Sequence, residues 1–469
     1  MSPALVVHGH FYQPPRLDPF SGRMPLDPSA SPARDWNERI SADCYRPNAL
    51  AGNLAAMSWD IGPTLAGWLA SDEGDPVAYG GFVDGDRGTN GMAQPFHHTI
   101  LPLASAADRR TEIRWGLRDF EVRFGRRAVG MWLPETAVDL DTLRLLAAEG
   151  IEHTILAPWQ VGGDVDTRRP VRLDLGGGRS IVAAIYDGLL SAAVSFDPAA
   201  TVDADRFVTE RIAPRFADMP AALDGADPLV VIASDGELYG HHQALREHFL
   251  ARLVGATAPP GRPFERTSLS SAIARATARG LPVAHLRERT SWSCHHGVTR
   301  WAAGCACVPD GDWKLPLRIA LERLAGGIDA ATDQLFRDLP GRPDSWAARD
   351  AYVDVVIGSR TDADFAAEHL DASAGPADVA RFTAVLHAQR WRLAMFASCA
   401  WFWEHPDRPE THGALRSATR AARLIDRASG TALEARLDAD LADIEAPGRH
   451  DGRTLLDAAL AAVGERRRD

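Results

Sequence analysis

The chain has 469 residues, 45% of them hydrophobic, enough to bury a large core in two or three layers rather than to need stapling. Lys plus Arg number 51 against 63 Asp plus Glu, and the net charge of -12 disfavours phosphate-backbone binding as the main role while leaving a neutral substrate unaffected. The five cysteines argue against a disulfide framework, and no opening segment resembles a signal peptide or a membrane span, so a soluble cytoplasmic protein with no membrane or nucleic-acid partner is expected.

In chain order, the run ALVVHGHF over 4–11 predicts a first strand that breaks at Gln13-Pro14-Pro15. After a Pro-rich loop, helices are predicted over 47–57 and 62–70, the second begun by Pro63. Strands follow at 77–83, 128–133, 153–157, 181–186, 229–233 and 283–286, with helical pattern in most gaps. Among those helices 111–124 is the clearest, and 141–149 closes on Gly150. This alternation predicts βαβ units around a parallel sheet or barrel, with seven strands. From about Trp313 the β signal vanishes into helical runs at 315–324, 347–357, 380–402 and 412–425, and the acidic stretch 362–378 reads as a solvated connection. The expected organisation is a catalytic α/β domain over 1–300 and an all-helical C-terminal domain over 301–469 that completes the cleft.

Two segments carry the chemistry. Glu135 follows the apolar run 128–133 and Pro134, which fixes the turn, while Asp235 and Glu237 follow the strand 229–233. Side chains at the carboxyl ends of parallel strands converge on one face, so these acids can meet. A retaining glycosidase needs two carboxylates about 5 Å apart, one as nucleophile and one as proton donor. If the second segment stays extended, Asp235 and Glu237 share a face, and their repulsion raises one pKa as a general acid requires. The plainer alternative for Glu135 is a first-turn Glu complementing a helix dipole.

His8 and His10 stand two apart on the first strand, so their rings point the same way, and the pairs His97-His98 and His241-His242 also lie near strand ends. The sequence holds 13 Trp, the side chain best suited to stack on a sugar face. Cys294, Cys305 and Cys307 beside His295-His296 invite a zinc reading. However, no two histidines stand four apart, and the Cys-x-Cys lacks the usual two-residue spacer and a matching second pair, so no metal or other cofactor is expected.

With these residues in view, the chain resembles glycoside hydrolase family 57, which includes α-amylases, 4-α-glucanotransferases and glycogen branching enzymes, and is closest to an uncharacterised branch of it. The resemblance rests on HGHFYQPP from His8, HHTILP from His97, FGR at 124–126 leading into WLPET from Trp132, and DGELYGH from Asp235. It implies a (β/α)7 barrel with a helical C-terminal domain, Glu135 as nucleophile and Asp235 as acid/base. His8, His10 and His98 would contact sugar, Trp132, Glu237 and His241 would line the site, and Trp292, Trp301 and Trp313 would stack on glucose units. The family's second motif, a Gly-Asn-Val-type strand, has no counterpart beyond Thr89-Asn90-Gly91. The function so implied is retaining, double-displacement glycosidase or transglycosidase action on an α-1,4-glucan or maltooligosaccharide. The alternatives are a metal-dependent carbohydrate deacetylase on a similar barrel and a glucan-binding protein without turnover.

Overall fold

The computed structural model describes residues 3–163, 165–217, 227–449 and 451–467. The chain divides into two compact units, one of Met1–Gln13, Leu26–Pro95 and Phe120–Ser293, the other of Pro14–Pro25, Phe96–Asp119 and Cys294–Asp469.

The first unit is α/β. Its described strands are β1 (Ala4–Phe11), β2 (Ser58–Ile61), β3 (Gly91–Met92), β4 (His153–Leu156), β5 (Val161–Gly162), β6 (Val171–Gly176), β7 (Arg179–Ile185), β8 (Leu229–Asp235), β9 (Glu265–Arg266) and β10 (Val283–Leu286). One sheet runs β3-β2-β1-β8, all parallel, and β9 also pairs with β1. The other runs β4-β7-β6-β10-β5, with β4 parallel to β7. Parallel bridges Ala93↔Met131 and Gly130↔His153 carry the pairing from the first sheet to the second. Beyond the end of β7, the Asp187 amide donates to the Val231 carbonyl in β8 at 2.8 Å.

Register explains where chemistry can sit. Ala4 pairs with Leu229, Val6 with Val231, His8 with Ala233 and His10 with Asp235. Because strand side chains alternate, each of these two columns lies on one face. Ala4, Val6, Leu229, Val231 and Ala233 belong to one buried core with Met92, Trp132, Ile155, Ala157, Ala184 and Tyr186. The same columns therefore begin as apolar core and end as His8, His10 and Asp235.

The predicted strands at 4–11, 153–157, 181–186, 229–233 and 283–286 all form. The stretch 77–83 is instead part of the helix Pro76–Gly85, since Asp75 caps it by accepting from Val77 and Ala78 amides and Pro76 takes the first turn, which outweighs its β-rich composition. Only Gly130 and Met131 of 128–133 join a ladder, as single bridges. Sequence reading also passed over β2, whose four residues are too short to show a period, and β6, which turns back into β7 through Gly176, Gly177 and Gly178 with φ of 79°, 61° and 74°.

The second unit is helical in the C-terminal stretch, with helices Lys314–Asp338, Pro376–Ala394, Pro409–Ser429, Leu433–Ala442 and Gly452–Ala461. The segment 362–378 contains the helix Asp362–His369, capped by Thr361, rather than only a solvated connection. Buried Asp108 pairs with Arg349 at 2.9 Å and Arg392 at 2.7 Å, and Arg392 reaches Asp329 at 2.7 Å, so the charges buried there are matched. Among the described residues no helix is long and apolar enough to cross a membrane.

Gly130 tests the packing between the sheets. A Cβ there would lie 2.4 Å from Nε2 of the buried His153 ring. Gly130→Ala is expected to cost about 1–3 kcal/mol of stability, the range for overpacking a filled interior, read as a lowered melting temperature. An unchanged melting temperature would show that the ring relaxes freely.

Candidate active site

At the carboxyl ends of β1, β2 and β8 a buried polar cluster begins. Asp60 on β2 lies in register with His10 and has no exposed surface. Its two oxygens meet His8 Nε2 and His10 Nδ1, each at 2.8 Å, and the amide nitrogen of Gln94 donates to the same carboxylate. Burial opposes charge on His10, but Asp60, with Asp235 and Glu237 adding to it, outweighs that and raises the imidazolium to about 9. Burial likewise opposes charge on Asp60, yet the two histidines hold its carboxyl below the usual range. This is a matched pair, with a buried anion and a buried cation that each make the other tolerable.

Trp132 lies against both rings, with centroids 5.2 Å from His8 and 4.8 Å from His10. It is fully buried, so it supports the histidines. Trp292 packs edge-on to Trp132 at 4.9 Å and is partly exposed.

Glu135 stands on a strained turn. It has φ 57° and Thr136 has φ 47°, a left-handed conformation that L-residues avoid at a cost of roughly 1–2 kcal/mol each. The surroundings enforce it. Thr136 donates its hydroxyl to Gln160 and accepts from the Gln160 amide at its carbonyl, both at 2.8 Å, and the Trp292 amide donates to the Glu135 carbonyl at 3.1 Å. The Glu135 carboxylate then receives the Ser293 hydroxyl and, at 3.3 Å, the Trp292 indole N–H. Burial pushes the Glu135 carboxyl up. Ser293, His10 and Trp292 resist that rise, and repulsion from Asp235 adds to it, so the two carboxylates feel each other.

Asp235 differs. Solvent reaches its side chain at the end of β8, and among the described residues no protein donor bonds its carboxylate. Protein nevertheless crowds it, and burial raises its pKa, opposed by His10 and His242 and aided by Asp60. Glu237 is buried and accepts from Tyr45 Oη at 2.6 Å, the Tyr12 amide at 3.3 Å and Gln13 Nε2 at 3.4 Å. Burial still lifts it to about 7. His241 turns to Asp43, with Nδ1 3.0 Å from its carboxylate.

The first unit thus gathers His8, His10, Trp132, Glu135, Asp235, Glu237, His241 and Trp292. His98 belongs to the second unit, where its Nδ1 lies 2.6 Å from the Ser398 hydroxyl. Trp301 and Trp313 also belong there, 0% and 2% exposed, and Trp313 donates to the Glu404 carbonyl at 2.6 Å. Neither presents a free ring face, which a stacking platform for glucose requires, so the structure gives them packing roles. Sequence reading did not single out Asp60, Gln94, Tyr45, Gln160 or Ser293. The one local signal for Asp60 was an acid in the short apolar run Ser58–Ile61 just before Gly62-Pro63.

An α/β fold that holds two carboxylates near enough to repel each other, one on a turn and braced by donors and one at the end of β8 and reached by solvent, carries the equipment of a glycoside hydrolase. Residues 91–283, which include both carboxylates, match glycosyl hydrolase family 57, and residues 310–454 match a domain of unknown function, DUF3536. No curated protein matches the sequence. The fold is similar to that of an exo-type maltose-forming amylase from Pyrococcus sp. ST04, with 17% identity over 98% of this chain and 92% of that one and a TM-score of 0.75. It is also similar to a family 57 branching enzyme from Pyrococcus horikoshii, with 14% identity, 98% and 94% coverage and a TM-score of 0.63. A third match is an α-amylase from Thermotoga maritima, with 14% identity, 97% and 99% coverage and a TM-score of 0.61.

The Asp60 pair has a definite pH signature. The His10 pKa is raised above its unfolded value of 6.5 and that of Asp60 is lowered from 3.8, so the pair's stabilisation is fully present between those unfolded values, is lost as pH rises through about 9, and is lost in acid as Asp60 protonates. In Asp60→Asn only Asp235 and Glu237 are left to oppose the burial of His10, so its side-chain NMR titration is expected to move acidic by more than a unit while the alkaline loss of melting temperature flattens. A His10 titration unmoved by the substitution would show that Asp60 does not hold the charge.

Proposed function

We propose that the chain is a retaining α-glucan-active enzyme acting on α-1,4-linked glucan through a covalent glycosyl intermediate, on a (β/α)7 barrel. The observation that carries this reading is the asymmetry of the carboxylate pair. Glu135 accepts hydrogen bonds from Ser293 and Trp292, which favour its anion and hold its oxygens in place, as a nucleophile requires. Asp235 has no such donors and a carboxyl pushed up by burial, which suits a group that must carry a proton at the start of the reaction. The matched family segment and the amylase and branching-enzyme fold neighbours support the substrate class.

Asp235 would give its proton to the leaving glycosidic oxygen while Glu135 attacks C1 and forms the glycosyl ester. Asp235, now a base, would take a proton from water or an acceptor sugar hydroxyl, whose oxygen displaces Glu135 and restores the original configuration. The His10 imidazolium, fixed by Asp60, would complement the negative charge of the pair in its ionised state. Trp292, partly exposed beside Glu135, is the ring available for stacking on the sugar.

Glu135→Gln and Asp235→Asn are each expected to lower kcat on maltooligosaccharides by roughly a thousandfold with unchanged circular dichroism. Because burial pushes both carboxyls up, both limbs of the parent pH–rate profile should lie on the alkaline side of ordinary carboxylate values. Near-parental turnover in either variant would end the assignment. Product analysis with amylose then separates hydrolysis, transfer and branching.

A further inference from the structure

The residues with which sequence spacing made a weak case for zinc come together in space. In the second unit the ligand atoms of Cys294, His296, Cys305 and Cys307 all lie within 4.8 Å of one another. Cys294 Sγ is 3.5 Å from Cys305 Sγ and 3.7 Å from His296 Nδ1, and Cys307 Sγ is 3.5 Å from His296 Nδ1. Tetrahedral zinc, with Zn–S of about 2.3 Å and Zn–N of about 2.0–2.1 Å, sets edges of about 3.8 Å between sulfurs and about 3.5 Å between sulfur and nitrogen. These three separations already stand near those edges and the remaining ones stay within 4.8 Å, and Cys294 and Cys305 are too far apart for a disulfide, whose S–S bond is about 2.05 Å. We infer that these four side chains form a structural zinc site.

Three further observations fit. The His296 amide points at Cys294 Sγ at 3.4 Å, the outer-shell donor that steadies a metal-bound thiolate. The loop is drawn tight: the Val308 amide bonds the Cys305 carbonyl at 2.8 Å, and at Gly304, with φ 80°, a Cβ would sit 2.9 Å from the Gly311 carbonyl oxygen. Lys314 is fully buried, and its ammonium donates to the Arg300 carbonyl at 3.0 Å. A buried cation needs a nearby anion. Burial, with Arg300 adding to it, lowers the Lys314 ammonium to about 8, and Cys305, Cys294 and Glu404 are the acidic groups that resist this. Three thiolates, a neutral imidazole and Zn2+ sum to one negative charge beside that cation, with three thiol protons released on binding. The two Cys/His pairs with one residue between them succeed because each pair projects from a turn, so the usual two-residue spacer is not needed.

Four protein ligands leave no open position, which makes the site structural rather than catalytic. Its role is to order 294–313, whose helical structure amounts to the four-residue Thr299–Ala302 and the three-residue Gly311–Trp313. In the chain, Cys294 directly follows Trp292-Ser293, the two residues that donate to Glu135.

The test uses the full chain isolated under reducing conditions without added metal. Elemental analysis is expected to give close to one zinc per chain, and cobalt exchanged for it should develop the intense visible bands of a tetrahedral thiolate-rich site. Cys307→Ser and His296→Ala, both at exposed positions, are expected to weaken zinc binding against a competing chelator by more than about a hundredfold, beyond what loss of an outer-shell partner produces. A chain that takes up no zinc when incubated with it, variants that bind as tightly as the parent, or a Cys294–Cys305 disulfide in the fresh protein would each overturn the assignment.

Discussion

A single carboxylate without access to solvent organises the site. Asp60 has no exposed surface and is bonded by His8, His10 and Gln94, so each of its neighbours is fixed by the need to compensate a buried anion. The price of burying it is met by the charge on His10. That charge, in turn, acts on Glu135, Asp235 and Glu237 alike, lowering carboxyls that burial would otherwise push further up. Removing Asp60 would therefore alter the electrostatics of residues it does not touch.

The second constraint is geometric. Register places His10 and Asp235 side by side at the ends of columns whose lower members are Ala4, Val6, Leu229 and Val231. Rigidity of the site is thus inherited from close-packed core. Glu135 obtains its position differently, from a left-handed turn that Gln160 and Trp292 hold against its own preference. Strain of this kind persists only where the surroundings over-determine it, and here the same segment, Trp292-Ser293, both clamps the turn and bonds the carboxylate.

Glu135, Asp235 and the two strand histidines were legible in the sequence because each follows or ends a long apolar run and the local pattern gives its direction. The family resemblance then chose Asp235 over Glu237, and in the structure Glu237 accepts from Tyr45, Tyr12 and Gln13. Asp60 was not legible, since a four-residue strand shows no period and its partners lie 50 and 52 positions away. The strand expected at 77–83 failed because capping by Asp75 and Pro76 is decided at the helix end, outside the window that looked β-like. The tryptophans at 301 and 313 illustrate a further limit: composition says a ring is present, and only packing says whether its face is free. For the cysteine cluster, linear spacing was the wrong variable, because turns at Gly297 and Gly304 rather than a two-residue spacer bring the ligands together.

The account rests on Glu135 being the residue that takes the glycosyl group. A fluorinated α-glucosyl fluoride, which forms the glycosyl ester quickly and releases it slowly, tests this most directly. The account predicts that fluoride leaves the anomeric carbon, that intact mass rises by one fluorinated glucosyl unit, and that peptide mapping places it on Glu135. Attachment to Glu237 or Asp235, or steady turnover of α-glucan by a chain that never accumulates the adduct and yields inverted product, would contradict it.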